Sequence, residues 1–278
     1  MFHVEQITAR VIAIANQKGG VGKTTTAINL AASLAAADMR TLLIDLDPQA
    51  NASSGLGFRK GAYPFSTYHV MVQNHSLASI RQQHPELESL YLAPSSRELV
   101  GATIELSAEP DRDQRLTVAL APVLNDYDFI LIDCPPSLDI LTVNALIAAQ
   151  TVLIPIQCEY FALEGVSELI ETVQHIKRAR NPRLEIEGVL LTMFDERTNL
   201  SNQVMQDLKE FFGPKLLSTI VPRNIRLGEA PSHGQPIILY DIKSKGAEAY
   251  IRLAKEIIHG TEKSSGARLE RPVGDPRS

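Results

Sequence analysis

Strand-length apolar runs alternate with segments of helical periodicity along most of this chain, and this alternation limits its fold more than any other feature. The predicted strands are residues 11–15, 41–45, 129–133, 151–155 and 188–192. The predicted helices are residues 24–37, 112–124, 141–149, 164–178, 199–212 and 246–258. Strands that are apolar on both faces are typical of a parallel sheet covered by helices on both sides. The chain is therefore predicted to be an α/β protein with a twisted, mostly parallel sheet built from right-handed βαβ units.

The chain has 278 residues, which is enough for one large domain with a full hydrophobic core. We assign residues 11–259 to a single domain, preceded by a short N-terminal extension, residues 1–10. Residues 55–83 contain several glycines and histidines and are predicted to form a loop with short helices. Residues 260–278 hold few apolar side chains and are predicted to be a disordered tail.

Charge and cysteine content narrow the class of protein. A net charge of −5 argues against a uniformly basic nucleic-acid-binding protein, so any DNA binding must come from a local patch. Cys134 and Cys158 each lie inside an apolar run and are predicted to be buried thiols in a reducing compartment. The sequence shows neither a secretory signal nor an uninterrupted apolar run of membrane-spanning length. We therefore expect a cytoplasmic protein.

The most informative motif is the glycine-rich segment 15–25, which follows the first predicted strand and opens the first predicted helix. A standard phosphate-binding loop would have glycine at position 17, but this chain has Gln17 there. Glycines still let successive backbone N–H groups converge on phosphate oxygens, and the helix that follows presents the positive end of its dipole. The glycines that serve this role are Gly19, Gly20 and Gly22. An ordinary glycine-rich turn is the alternative interpretation.

Three side chains at the start of this helix suit a bound triphosphate. Lys23 is predicted to neutralise the β- and γ-phosphates, and the Thr24 hydroxyl to complete the coordination of Mg²⁺. Thr25 is predicted to bond the α-phosphate. The segment therefore predicts binding of ATP with Mg²⁺.

Carboxylates end two other predicted strands. In a parallel sheet the ends of these strands lie at the same edge as the phosphate loop. Asp133 is therefore placed to hold Mg²⁺ directly or through water, as a Walker B aspartate does. Asp47, which follows Asp45, is a candidate to orient the attacking water. The alternative for Asp47 is that it only caps the turn before Pro48.

The glycine-rich segment resembles the deviant Walker A box of the ParA/MinD ATPases, with Lys18 as its signature lysine. Four further motifs are similar to the ParA/Soj branch of that superfamily: Asp45-Leu-Asp47-Pro-Gln-Ala-Asn51, Asp133-Cys-Pro-Pro-Ser137, Gln157-Cys-Glu-Tyr-Phe-Ala-Leu-Glu-Gly165 and the block from Pro222 to Gly234. The resemblance runs from about residue 11 to about residue 258. It implies a P-loop NTPase fold and an ATPase that hydrolyses ATP to ADP and phosphate in DNA segregation.

The resemblance also implies an ATP-dependent homodimer in which Lys18 of one protomer reaches the phosphates bound by the other. Such a cation would act as an arginine finger does in trans. The catalytic residues are then Lys18, Lys23 and Asp47. A ParB-type partner is expected to stimulate hydrolysis and so release the dimer from DNA on the nucleoid.

Nucleotide-binding residues follow from the same resemblance. The phosphate site comprises Lys18, Gly19, Gly20, Val21, Gly22, Lys23, Thr24 and Thr25. Family precedent places the base near Pro222 and Asn224, although these two residues could simply form a turn.

DNA contacts are expected from basic residues in the C-terminal third. Arg197, Arg226 and Lys243 lie in stretches that match the family, and Arg223 is a fourth candidate. Taken alone, the charge pattern favours a solvated surface of mixed sign over a DNA-binding surface. If the resemblance holds, we expect double-stranded DNA to be bound without sequence preference and with strong dependence on salt.

Specific sequence features distinguish this function from its alternatives. A MinD-like membrane ATPase would need an amphipathic C-terminal helix, and residues 260–278 lack the apolar stripe, so no membrane partner is expected. A cargo-positioning ParA-like ATPase remains an alternative. The positions of Cys134 and Cys158 do not support an iron–sulfur cluster like that of nitrogenase iron proteins. A transferase of the dethiobiotin-synthetase kind is disfavoured by the Pro222 to Gly234 block.

Overall fold

Eight strands form one sheet within residues 8–59, 61–159 and 162–269, which the computed structural model describes. The strands are β1 Arg10–Ile14, β2 Thr41–Asp45, β3 Gln82–Gln83, β4 Leu90–Ala93, β5 Phe129–Asp133, β6 Thr151–Gln157, β7 Glu185–Phe194 and β8 Leu216–Pro222. Their order across the sheet is β3-β4-β2-β5-β1-β6-β7-β8. Neighbouring strands are parallel except for β3, which runs antiparallel to β4. The predicted mostly parallel sheet is confirmed.

Helices connect the strands and cover the sheet. The α-helices are α1 Lys23–Ala35, α2 Asn51–Gly55, α3 Thr67–Gln73, α4 Leu77–Ile80, α5 Leu99–Glu105, α6 Arg115–Leu120, α7 Ile140–Ala148, α8 Glu164–Ala179, α9 Asn199–Phe212, α10 Ile225–Glu229, α11 Ile237–Tyr240 and α12 Lys245–Leu269. Short 3₁₀ turns lie at Leu106–Ala108, Ala121–Asp126, Gly213–Lys215 and Ala230–His233. No helix in the described ranges is both long and apolar enough to cross a membrane.

Successive side chains of the central strands point to opposite faces of the sheet, and this divides the core into two layers. On β1, Val11 and Ala13 face one side and Ile12 and Ile14 face the other, as the two-residue period of a strand requires. The first side packs against helices that include α7, α8 and α9, and the second against α1 and α12. Helices therefore lie on both faces of the sheet, as predicted.

The five strands predicted from apolar runs are β1, β2, β5, β6 and the centre of β7. Residues 55–83 form the end of α2, the short helices α3 and α4 and strand β3. Sequence reasoning missed β3, β4 and β8. Cys134 and Cys158 are buried free thiols, in agreement with the sequence.

Strand β1 and helix α12 extend beyond the predicted domain, residues 11–259, whose bounds stay a prediction. Strand β1 starts at Arg10, and Ala9 is fully buried with its N–H donated to the Leu124 carbonyl at 2.8 Å. Helix α12 continues through Leu269, well into the segment predicted to be disordered. Extending a formed helix avoids the cost of nucleation, so a segment with few apolar side chains can continue it. Residues 1–7 and 270–278 lie outside the described ranges.

Candidate nucleotide site

The glycine-rich loop leaves β1 and is tied to the neighbouring strand by Asn16. Asn16 is buried, its Nδ2 donates to the Pro155 carbonyl of β6 at 2.8 Å, and its Oδ1 accepts from Lys18 N at 3.0 Å. Gly20 and Gly22 have φ angles of 76° and 89°, a region that glycine enters without steric cost. Helix α1 starts directly after Gly22, so its first N–H groups point into the loop.

Lys23 is buried within this loop. Its Nζ donates to the Lys18 carbonyl at 3.0 Å. Burial lowers the pKa of Lys23, and the nearby carboxylates of Asp133 and Asp47 act in the opposite direction. The ammonium group therefore lies between a backbone carbonyl and two acidic residues, where a polyanion would compete for it.

Lys18 occupies a different position from the rest of the loop. Its side chain does not line the cleft described below, and its Nζ forms an ion pair with Glu159, which follows β6. Val21 is also turned inward: it is buried, and its carbonyl accepts from Thr192 Oγ1 on β7 at 2.8 Å. Of the predicted phosphate residues, Lys18 and Val21 are the two that do not line the cleft.

Asp45 and Asp47 form a tight turn at the end of β2. Asp45 is fully buried and accepts hydrogen bonds from Ser53 N at 2.8 Å and Ser53 Oγ at 2.7 Å. Burial raises the pKa of Asp45 to about 6, against the opposing effect of these bonds. Asp47 Oδ1 accepts from Gln49 N at 2.8 Å, so Asp47 caps the turn and also lines the cleft.

Asp133 ends β5 beside these residues. It lies opposite Asp45 in the β2–β5 register and opposite Ile14 in the β1–β5 register. Burial, followed by the charge of Asp45, raises the pKa of Asp133 well above its ordinary value, while the Thr24 side chain and Lys23 lower it. Although Thr24 is near, neither Asp133 oxygen has a partner at full hydrogen-bond geometry. A buried carboxylate without partners is costly, so this site fits a cation.

A magnesium ion suits this donor set. Carboxylate and hydroxyl oxygens are the ligands that Mg²⁺ takes, usually with water completing its shell. Asp133 and Thr24 provide one of each beside the phosphate loop, and the unpartnered Asp133 oxygens are the observation that favours an ion there.

A cleft of about 780 Å³ joins the loop to the C-terminal end of the sheet. Predicted residues that line it are Gly19, Gly20, Gly22, Lys23, Thr24, Thr25, Asp47, Pro222 and Asn224. Asn224 Oδ1 also accepts from Arg226 N at 2.8 Å and caps α10, so this residue has the turn role as well. The structure thus brings the phosphate loop, Asp47 and the Pro222 region to one cavity.

Sequence reasoning missed several residues at this site, of which four make informative contacts. Thr192 and Tyr250 line the cleft, and Asn16 and Glu159 support the loop. The Tyr250 hydroxyl lies 3.1 Å from Thr26 Oγ1 and so links α12 to α1. A glutamate inside the Gln157 to Gly165 motif was visible in the sequence, but its contact with Lys18 spans 141 residues.

The candidate DNA residues are exposed and partly paired with carboxylates. Arg197 donates to both oxygens of Asp195, at 2.8 and 2.7 Å, and these bonds lower the pKa of Asp195 to about 2. Arg226 contacts Glu229 at 2.8 Å and Asp241 at 3.5 Å. Lys243 and Arg223 are exposed.

A second cleft, of about 760 Å³, holds two of these residues, Arg197 and Arg223. Further charged residues on its walls are Asp195, Glu196, Lys245, Glu248 and Arg252. Pro222, Arg223 and Ile225 line both this cleft and the nucleotide cleft. The β8–α10 connection is therefore a common wall between the two.

Comparison with known proteins assigns this chain to a family. A family model described as an AAA domain matches residues 9–186. The chromosome partitioning protein ParA of Myxococcus xanthus is 52% identical over 94% of this chain and 92% of that protein. The sporulation initiation inhibitor protein Soj of Bacillus subtilis is 52% identical over 89% of this chain and 98% of that protein. This chain belongs to the ParA/Soj family.

A solved structure supports the fold of this ParA/Soj chain. Cobyrinic acid a,c-diamide synthase from Mycobacterium smegmatis, with bound ATP analog and magnesium, has a TM-score of 0.81 and 34% sequence identity. The match covers 92% of this chain and 97% of the synthase. The family and the P-loop fold that the motifs predicted are both confirmed.

Proposed function

We propose that this chain binds ATP with Mg²⁺ in the 780 Å³ cleft, hydrolyses it, and uses the ATP-bound state to hold DNA during chromosome partitioning. Chromosome-partitioning ATPases named Soj are among its relatives, with 49% identity in Treponema pallidum and in Thermus thermophilus. The observation that carries the proposal is Asp133, a buried carboxylate beside Thr24 and Lys23 whose oxygens have no partner at full hydrogen-bond geometry.

Phosphate binding falls to the loop and the start of α1. Backbone N–H groups at Gly19, Gly20 and Gly22 converge where the α1 dipole favours negative charge. When the triphosphate binds, the Lys23 ammonium would leave the Lys18 carbonyl and donate to phosphate oxygens. The buried ammonium would then be paired with a negative charge. Thr24 and Asp133 would hold Mg²⁺, which supplies neutralisation of phosphate charge when it is bound. Pro222 and Asn224 would face the base.

Hydrolysis requires an oriented water and a balanced transition-state charge. Asp47 lines the cleft and is held by its turn, because Asp47 Oδ1 accepts from Gln49 N and the Asp47 carbonyl accepts from Ser95 Oγ at 2.7 Å. This fixed carboxylate would orient the attacking water. Lys18 would act across a sandwich dimer, on phosphates bound by the partner subunit.

DNA would be held by the exposed arginines and Lys243 of two protomers. Dimerisation doubles the positive surface, so affinity should depend on ATP and fall steeply with salt. Asp195 and Glu229 compete with DNA phosphates for Arg197 and Arg226, which keeps the binding of one protomer weak. A ParB-type partner would stimulate hydrolysis and end the DNA-bound state, placing the protein on the nucleoid in the cytoplasm.

Two variants separate nucleotide binding from hydrolysis. Lys23→Ala should abolish nucleotide binding, because it removes the cation at the phosphate loop. Asp47→Ala should bind ATP and remain dimeric, with hydrolysis reduced at least 100-fold in single-turnover assays. Hydrolysis by Asp47→Ala at the parental rate would refute the role of Asp47.

DNA binding is tested by charge reversal. Arg226→Glu should weaken binding at low salt while ATP-dependent dimerisation, followed by light scattering, is retained. Arg40→Glu is the matched control, since Arg40 precedes β2 at the opposite edge of the sheet. Equal affinity of the parent protein for DNA with ADP and with ATP would refute the coupled switch. Co-sedimentation with anionic vesicles in ATP would instead favour a membrane-associated ATPase.

A further inference from the structure

The signature lysine is engaged by its own subunit. Lys18 Nζ forms an ion pair with Glu159, and both side chains are partly exposed, at 40% and 43%. Glu159 lies in the connection that follows β6, and its N–H donates to the Gln157 carbonyl at 2.9 Å. The Lys18 ammonium is therefore directed to a carboxylate of the same chain and not across a dimer interface.

The main chain of Lys18 is also held. Its N–H donates to Asn16 Oδ1 at 3.0 Å, and its carbonyl accepts from Lys23 Nζ at 3.0 Å. The second of these contacts uses the ammonium that the proposed function assigns to the phosphates. Binding of a triphosphate would therefore remove one of the contacts that hold Lys18 in place, leaving the Glu159 ion pair as its side-chain restraint.

We propose that Glu159 is a latch that keeps Lys18 in its own subunit until nucleotide and a second copy of the chain are both present. This inference rests on the proposed sandwich dimer and deepens it, because it assigns a positioning residue that sets when the dimer forms. Closing the dimer exchanges a Lys18–Glu159 pair for a Lys18–phosphate contact in each subunit. The latch raises the protein and nucleotide concentrations at which that exchange becomes favourable.

The exposure of the Lys18–Glu159 ion pair sets how much its loss should strengthen dimerisation. A partly exposed ion pair shifts an equilibrium by only about 1.4- to 5-fold, because water and salt screen it. Two such pairs break when one dimer forms, so removal of both should strengthen dimerisation by about 2- to 30-fold. This range is small enough for the parent protein to dimerise and large enough to measure.

Glu159→Gln is the direct test, because the amide keeps the shape of the side chain and removes its charge. The dimer dissociation constant is measured by sedimentation velocity over a protein concentration series with Mg²⁺ and ATPγS. We expect it to fall by about 2- to 30-fold relative to the parent. The matched control is Glu185→Gln, which breaks another Lys–Glu pair of similar exposure, with Lys177, and should leave the constant unchanged.

Two further measurements distinguish a latch from a general structural role. Glu159→Asp keeps the charge and should restore at least part of the parental dissociation constant. Because salt screens the partly exposed Lys18–Glu159 pair, the dimer dissociation constants of the parent and Glu159→Gln should converge as NaCl is raised to about 1 M. Thermal melting of each variant verifies that it is folded.

The outcomes are separable. If the parent protein stays monomeric with Mg²⁺ and ATPγS, the sandwich dimer itself is refuted. If the parent dimerises and Glu159→Gln has the same dissociation constant, only the latch is refuted. A larger constant for Glu159→Gln, with Glu185→Gln unchanged, would show that Glu159 contributes to the dimer contact and would also overturn the latch.

Discussion

Replacing Asp133 by asparagine should make the nucleotide-free protein more stable and remove its response to Mg²⁺. Burial raises the pKa of the neighbouring Asp45 from 3.8 to about 6, which corresponds to about 3 kcal/mol of lost stability. Asp133 is equally buried, its oxygens have no partner at full hydrogen-bond geometry, and a buried charge left without a partner costs on the order of 3 kcal/mol. Asparagine removes the charge, although its buried amide then costs about 1–3 kcal/mol without a partner. The net gain should be about 1 kcal/mol.

Differential scanning calorimetry measures both effects. With neither nucleotide nor metal, Asp133→Asn should melt about 2–4 °C above the parent. The parent should melt higher with ATP and Mg²⁺ than with ATP and EDTA, whereas the variant should melt at the same temperature in both. Asp207→Asn, at an exposed position of α9, is the control for loss of a carboxylate. A folded Asp133→Asn protein that melts below the parent and keeps the Mg²⁺ response would refute the reasoning.

Three other predictions concern the loop and its supports. Tyr250→Phe leaves the buried Thr26 hydroxyl without its partner and should cost about 1–2 kcal/mol in urea unfolding; an unchanged midpoint would contradict this. Gly22→Ala forces a side chain into a φ of 89° and should weaken binding of a fluorescent ATP analogue at least tenfold, whereas Gly165→Ala, which has open space around its Cα, should bind normally. With its pKa raised to about 6, Asp45 holds a proton in the folded chain that the unfolded chain releases near 3.8, so stability falls as the pH rises from about 4 to about 6. Between pH 5 and pH 7 the parent should therefore lose about 1.4 kcal/mol more than Asp45→Asn, as measured by urea unfolding.

The central strands were predictable because burial on both faces leaves an uninterrupted apolar run. β5, with the sequence Phe-Ile-Leu-Ile-Asp, is buried at every position. β8 is only partly buried. Its residue Ser218 is exposed and donates its backbone N–H to the Glu256 carboxylate of α12 at 2.8 Å. The sequence of β8 therefore resembles that of a loop. β4 has only four residues, and Tyr91 is half-buried. Strands near an edge are stabilised by contacts with neighbours that are distant in sequence. The hydrophobic periodicity of such a strand does not reveal these contacts.

The residues of the nucleotide site also fall into a group that the sequence predicts and a group that it does not. Residues 18–25 are contiguous, and the spacing of their glycines, lysines and threonines follows from what a phosphate needs, so they could be found directly. Glu159, Thr192 and Tyr250 reach the loop from β6, β7 and α12, across 141, 171 and 224 residues. Their side-chain types are common and carry no local signal. Only the packed sheet shows that they meet.

The β8–α10 connection has a consequence for genetic work on this protein. Pro222, Arg223 and Ile225 line both the nucleotide cleft and the second cleft. If the second cleft holds DNA as proposed, alleles at these three codons should be pleiotropic, with defects in ATP hydrolysis and in DNA binding inherited together. Lys245 and Arg252 belong to the second cleft alone. A screen for separation-of-function alleles is best aimed at those two codons of α12.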